Sequence, residues 1–312
     1  MQTFNPILLA QALLVPILAP LLIGYMRKIK AGFQNREGAP IVQPYRELWK
    51  LFHKDEVISN DSSWISRVAP YVVFVTAFVV ALGLPLIVRG SALPAVADML
   101  TVIYLLTLGV FFLALNGLDV GGAFGGLGAS REMTLTTCAE GGFLLSLLLL
   151  SFASGTTNIT EMVAQTRHLP LIALAPLLLA AIAFFVVLLS ENARVPFDNP
   201  ATHLELTMIH EAMTIESSGK SLALLEWGSW MKLFIFLTIL VNVFFPWSIA
   251  PVGASFAPLI IALAVFVIKL ALGAFLIALI ESSMAKMRYL RLPDLLFGAL
   301  VLDLIAIVII LH

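Results

Sequence analysis

Eight apolar runs recur along this chain, and they confine it to one architecture. A helix needs roughly 20 apolar residues to cross about 30 Å of hydrocarbon, and it satisfies its own backbone hydrogen bonds while doing so. The runs are Phe4 to Tyr25, Val68 to Val88, Leu100 to Leu118, Thr134 to Ala153, Leu169 to Leu189, Trp230 to Phe245, Ala257 to Ile280 and Leu292 to Leu311. A 60% hydrophobic content with only 12% charged residues excludes a soluble globule of 312 residues. The expected fold is all-α: one integral membrane domain over 1–312 with eight transmembrane helices, an amphipathic cytoplasmic helix in loop 26–67 and a charged coupling loop over 190–229. The first run has no basic segment before it and no small-residue cleavage site after it, so it is expected to be retained as a helix.

Basic residues between the runs set the orientation. Loop one carries Arg27, Lys28, Lys30, Arg36, Arg46, Lys50, Lys54 and Arg67; loop three carries Arg131; loop five carries Arg194 and Lys220; loop seven carries Lys286, Arg288 and Arg291. Against these fourteen, the even loops hold only Arg89 and Arg167. The odd loops are therefore expected in the cytoplasm, with both termini on the other side of a bacterial or archaeal inner membrane. Acids crowd onto the same odd loops, and a mixed-sign face suits docking of a soluble partner. Candidate docking residues are Arg36, Arg46, Lys50, Arg131 and Glu132. In loop one, Tyr45, Leu48, Trp49 and Phe52 recur at helical spacing with charges between them, the pattern of a helix lying at the interface.

Chemistry is concentrated in ENARVPFDNPATHLELTMIHEAMTIE, from Glu191 to Glu216, directly behind an uncharged run. Ionisable side chains at the edge of a membrane span are functional candidates by default. Glu191 and Arg194 can pair if helical, Asp198 can cap a following helix, and in that helix His203 and His210 share one face while Glu211 lies beside His210. Neither HExxH nor a paired ExxH occurs, so the set reads as proton carriers and not as a metal site. Glu140, a couple of turns inside the fourth run, costs about 2.5–3.5 kcal/mol on insertion scales and requires compensation. Lys269, at mid-depth in the seventh, must pair with an acid or line a polar path, with Glu281 further along the same helix. The proton-path or coupling set is Glu140, Glu191, Arg194, Asp198, His203, Glu205, His210, Glu211, Glu216, Lys269 and Glu281. The glycine-rich segment LDVGGAFGGLGASREM is expected to form a tight re-entry loop, with Arg131 and Glu132 opening the next helix; it lacks the Lys and Ser/Thr of a phosphate loop. A lone Cys138 leaves no multi-cysteine cluster site in this chain, so electron carriers belong to other subunits. A net charge of −1 gives no argument for nucleic acid.

The run ENARVPFDNP resembles the E-x-x-R-x-P-F-D-x-P signature of the complex I membrane subunit known as NADH dehydrogenase subunit 1, a family with bacterial and mitochondrial members. FQNREG followed by QPYRELWKLFHKDEV resembles that family's first cytoplasmic loop, and GASREM with Glu140 and SGTTNITEMV its fourth helix and the loop after it. The family's acidic run after the proline survives only as Glu205, with Ala201 and His203 at the other acidic positions. The longer segment THLELTMIHEAM is similar to the branch of formate hydrogenlyase, hydrogenase 4 and related energy-converting hydrogenase-like complexes. The resemblance implies a non-catalytic subunit that holds a hydrogenase-like soluble arm, with large and small subunits carrying iron–sulfur clusters and a possible nickel–iron centre, beside antiporter-like membrane subunits. It implies coupling roles for Glu140, Glu191, Arg194, Asp198, Glu205 and Glu216. Loss of two acids puts quinone binding in doubt. The alternatives are the quinone-site subunit of a respiratory complex I and, from another class, a stand-alone ion-coupled secondary transporter.

Overall fold

The computed structural model describes residues 6–167, 169, 173–199 and 208–311. Ten α-helices order as α1 (Pro6–Phe33), α2 (Gln43–Phe52), α3 (Ile65–Gly83), α4 (Met99–Asp119), α5 (Ala123–Ser154), α6 (Ile159–Thr166), α7 (Leu174–Glu191), α8 (Gly219–Ile239), α9 (Phe256–Ser283) and α10 (Leu292–Leu311). Eight of them are long and apolar enough to cross a membrane, α8 being prolonged by a π-helical turn over Leu240–Phe244. Among the described residues there is no β-strand, only the isolated bridges Val88–Ala250 and Asp98–Asn158. The all-α, multi-pass class read from the sequence is the observed one.

Helix α8 is the pillar of the bundle. It packs against α1, α2, α3, α7 and α9, and its whole distal stretch from Leu233 to Ile239 is buried. Its sequence shows why: Leu, Phe, Ile and Trp occur on every side, the pattern of a helix surrounded by protein. Phe143, Phe184 and Phe236 meet there, with ring centroids 4.9–5.9 Å apart. Helices α9 and α10 lie outside this core and turn exposed Ile, Leu and Val outward, as lipid-facing helices do.

The glycine-rich segment is not a re-entry loop. Only Val120 to Gly122 separate α4 from α5, and the glycines at 125, 126 and 128 are helical. A methyl group on Gly125 would overlap the Gly117 carbonyl, and one on Gly128 would sit 2.7 Å from the Ala212 Cβ. The glycines thus allow close packing of α5 on α4 and on the 208–213 segment. Consequently α5 is 32 residues long, and Arg131 and Glu132 lie well inside it instead of opening it. The sixth span likewise starts at Gly219 and not at Trp230, because Glu226 and Lys232 lower its hydropathy while turning toward protein. The first-loop helix forms as expected, with one change of face. Tyr45 and Phe52 pack inward with the buried Leu48, Phe52 edge-on to Trp227, while Trp49 is 70% exposed and stacks on His53.

Contacts between loops sort the molecule into two ends. At one, Asp119 accepts hydrogen bonds from Ser63 and Ser66, Glu56 from Ser221, and Lys286 pairs with Asp198. At the other, Arg89 donates to the Ile249 carbonyl and Thr157 to Asp98. Loops one, three, five and seven thus share one end, and the even loops the other.

Candidate functional site

The odd-loop end encloses a cavity of about 490 Å³ between α1, the first loop, the segment after α7 and the first half of α8. Its lining is charged throughout: Arg27, Lys30 and Arg36 on one side, Glu191, Arg194, Asp198, His210 and Glu211 on the next, Glu226 and Lys232 from α8. So many ionisable groups in a partly apolar shell require partners or water.

Local chain geometry arranges them. Helix α7 stops at Glu191, and Ala193 adopts a left-handed φ of 48°, which turns the chain so that Glu191 and Arg194 diverge. They do not pair with each other, in contrast to the helical pairing expected. Glu191, almost fully buried, takes the Lys232 ammonium at 2.7 Å, and Lys232 also donates to the Glu191 carbonyl at 2.7 Å. Arg194 reaches across to Glu281 at 3.4 Å, whose other oxygen meets Lys30 at 2.8 Å; the Glu281 side chain has no exposed surface. Asp198 takes the Lys286 ammonium at 2.5 Å and accepts from the backbone N–H groups of Ile209 and His210 at 3.1 Å. It therefore tethers the 208–210 segment back onto the turn after α7. The helix it was expected to cap, with His203 and Glu205, falls outside the described residues.

His210 joins this cluster to α5. Its Nδ1 lies 3.5 Å from Glu132, an ion-pair distance, and its Nε2 is 3.2 Å from the Ser229 hydroxyl. Burial alone would lower the imidazole pKa, but the contact with Glu132 and the nearby Glu211 charge outweigh it, so the pKa is raised above the usual 6.5. Glu132 is 4% exposed, which corrects its assignment to the docking surface: it faces inward because α5 begins nine residues earlier than the hydropathy implied. Arg131 also turns to protein, stacking its guanidinium 5.7 Å from the Tyr289 ring and donating to the Met208 carbonyl. Arg36, Arg46 and Lys50 are exposed.

Several expected members lie apart. Glu140, in the middle of α5, accepts a hydrogen bond from Thr107 of α4 and is not part of the cavity wall. Glu216 is exposed near loop one. Lys269 pairs with no acid: its ammonium meets carbonyl oxygens at the far end of α8. Sequence reasoning misses Glu226, Lys30 and Lys286 as members of the site. Lys30 and Lys286 look like ordinary orientation signals. Glu226 carries a usable sign, a carboxylate between Leu225 and Trp227 at helical spacing from Lys232. Inside the cavity, Glu191 Oε1, Asn192 Oδ1 and Arg194 Nε are buried without a protein hydrogen-bond partner, as expected of a wall facing water. Among the described residues, no three His, Cys, Asp or Glu side chains converge as a metal site.

A polytopic helical membrane protein with a charged, partly enclosed vestibule at one end is the class that fold and site define. The chain belongs to the NADH dehydrogenase subunit 1 family, whose model, described as NADH dehydrogenase, matches residues 6–311. It is similar to formate hydrogenlyase subunit 4 of Escherichia coli (strain K12), with 36% identity over 280 residues and 90% of each chain covered. Hydrogenase-4 component C of the same organism is 37% identical over 286 residues, covering 90% of this chain and 88% of the relative. An NADH-quinone oxidoreductase membrane component of Wolbachia pipientis wMel is 27% identical over 304 residues, covering 89% of this chain and 88% of the relative. A chain in the structure of the membrane-bound sulfane sulfur reductase, an archaeal respiratory membrane complex, superposes with a TM-score of 0.83, covering 97% of this chain and 99% of that one. At 22% identity this last likeness shows the common fold.

Proposed function

We propose that this protein is the membrane anchor and coupling subunit of a hydrogenase-like redox complex. Its exposed odd-loop face, with Arg36, Arg46 and Lys50, docks a soluble electron-transfer arm whose large and small subunits carry the iron–sulfur clusters and any nickel–iron centre. The two relatives at 36–37% identity, named for formate hydrogenlyase and hydrogenase-4, favour this branch over an NADH-oxidising one. Antiporter-like membrane subunits complete the ion path, in a bacterial or archaeal inner membrane with the odd loops cytoplasmic and both termini outside.

The observation that carries this reading is the continuity of ionisable groups from the cavity into the bundle. Arg194 and Glu281 sit at its rim, Glu191 and Lys232 at its inner wall, and His210 links the wall to Glu132 inside α5. A redox event in a docked partner that alters the field at this wall changes which of Glu191, His210 and Glu132 holds a proton, and Glu140 lies further along the same helix. Proton or sodium translocation then follows from that change of occupancy.

The test uses the whole complex reconstituted in liposomes. Glu132→Gln and Lys232→Met are expected to preserve assembly and electron transfer while ion translocation per turnover falls at least tenfold. Both variants pumping at the normal ratio would remove the cavity wall from the mechanism.

A further inference from the structure

The last turn of α8 is built differently from any other helix end among the described residues. Pro246 has no N–H to donate, and the π-helical turn over Leu240–Phe244 shifts the hydrogen-bond pattern by one residue, so carbonyls are left facing inward without backbone donors. Three of these oxygens converge on one point, where Val241 O, Phe245 O and Trp247 O lie 3.1, 2.6 and 2.9 Å from the Lys269 Nζ. The Asn242 side-chain oxygen stands at 3.5 Å. It is held in that direction because its amide nitrogen is committed to the Pro85 and Leu86 carbonyls at 3.0 and 2.8 Å.

Four neutral oxygens around one positive atom form a cation cage. An ammonium has three N–H donors, one fewer than the oxygens present, so hydrogen bonding alone does not account for the fourth. The absence of a carboxylate among the four disfavours a divalent ion, which takes charged oxygen ligands. Carbonyl dipoles at ammonium-like distances suit a monovalent ion stripped of its water. The cage also has a way in: Trp247 and Ser248 at its mouth are exposed on the even-loop end.

We propose that the end of α8 is a monovalent-cation site in which the Lys269 ammonium and a free ion of ammonium or potassium size are alternative occupants. Lys269 is a tethered occupant, and when its charge is absent the cage takes a free ion. This inference is independent of the coupling role assigned to the opposite end.

The test is Lys269→Met in the intact purified protein, with thermal unfolding followed in KCl, NH4Cl, NaCl and choline chloride at equal ionic strength. In choline the variant is expected to unfold several degrees, about 4 °C or more, below the native protein, and KCl or NH4Cl should restore at least half of that loss saturably. The native protein should show no ranking among these salts. Equal unfolding temperatures for the variant in all four salts would overturn the proposal. Should Lys269→Met give no folded protein, Lys269→Gln is measured in the same way, since its amide serves two carbonyls without filling the cage. It is expected to show the same ranking with smaller amplitude, and its absence rejects the site.

Discussion

The two ends of this bundle solve the same problem by opposite means. Both bury polar groups against an apolar core. At the odd-loop end the partners are opposite charges, such as Lys232 with Glu191 and Lys286 with Asp198, set around a cavity in which some oxygens and nitrogens remain without protein partners. At the even-loop end they are backbone groups. Gln11 bridges Gly90 and Val88, Asn242 holds Pro85 and Leu86, and Lys269 is held by carbonyls. Charge pairs beside water can exchange protons, whereas amide-to-carbonyl contacts have none to exchange at neutral pH. One end is built to change its charge state and the other to keep its shape.

The largest effect is expected from breaking the odd-end pair on one side only. Glu191→Ala leaves the Lys232 ammonium in a nearly closed wall with only a carbonyl opposite, and losing one member of a buried pair costs about 3–5 kcal/mol. The double variant Glu191→Gln with Lys232→Met removes both charges and should recover most of that loss, so the two changes are strongly non-additive in thermal unfolding. Additive losses would mean that the pair is solvated, and the contrast between the ends would weaken.

At the even end the matching experiment is Asn242→Leu. It strands the Pro85 and Leu86 carbonyls in a buried site, at a cost of about 1–3 kcal/mol for each unsatisfied group. The loss should be the same from pH 5 to 8, because no titrating group touches these two contacts. A pH-dependent loss would place an unrecognised ionisation at this end.

Much of this contrast is legible in the sequence, and the unread part has a physical cause. The eight spans and the segregation of basic loops follow from residue type alone, because lipid enforces them. The length of α5 does not, since glycines within a helix mimic a loop until a neighbour is seen to need their missing side chains, as Gly117 and Ala212 do. Glu191, Arg194, Asp198 and His210 stand out in the sequence and do meet around one cavity, but their partners do not show there. Lys232, Glu281 and Lys286 come from distant helices, and spacing along one helix carries no information about contacts across a bundle. Lys269 is recognisable as an inward-facing charge, yet a carbonyl cage cannot be inferred from side-chain types because the backbone supplies three of its oxygens.

His210 gives a smaller effect that bears on the charge-exchanging end directly. Its folded pKa is raised, so protonated His210 contributes stability that is fully present below the unfolded value of about 6.5 and is lost as pH rises through the folded value. Unfolding temperatures of the native protein and of His210→Gln should therefore differ most below pH 6.5 and converge at higher pH. Glu132, Glu211 and Lys232 surround the ring, and Glu132→Gln should bring the native transition back toward the ordinary histidine range. A constant difference between the two proteins across that range would show that His210 acts by packing and not by charge.

The smallest effect on stability belongs to the outer rim of the same end. Arg46 and Lys50 are exposed on α2, whose other face is fastened by the buried Leu48, by the Phe52 ring against Trp227, and by the Tyr45 hydroxyl to the Ile17 carbonyl. Reversing both charges with Arg46→Glu and Lys50→Glu should change unfolding by less than about 0.5 kcal/mol, since neither side chain is buried. Association is a different matter, because charges at the edge of an interface govern encounter rate and salt dependence. The double variant should therefore fold normally yet retain less of the soluble arm on purification, with the deficit growing as ionic strength falls, where like charges repel over a longer range. Normal retention at low salt would move the docking surface away from α2, toward the loop-seven bases Arg288 and Arg291 on the same end of the bundle.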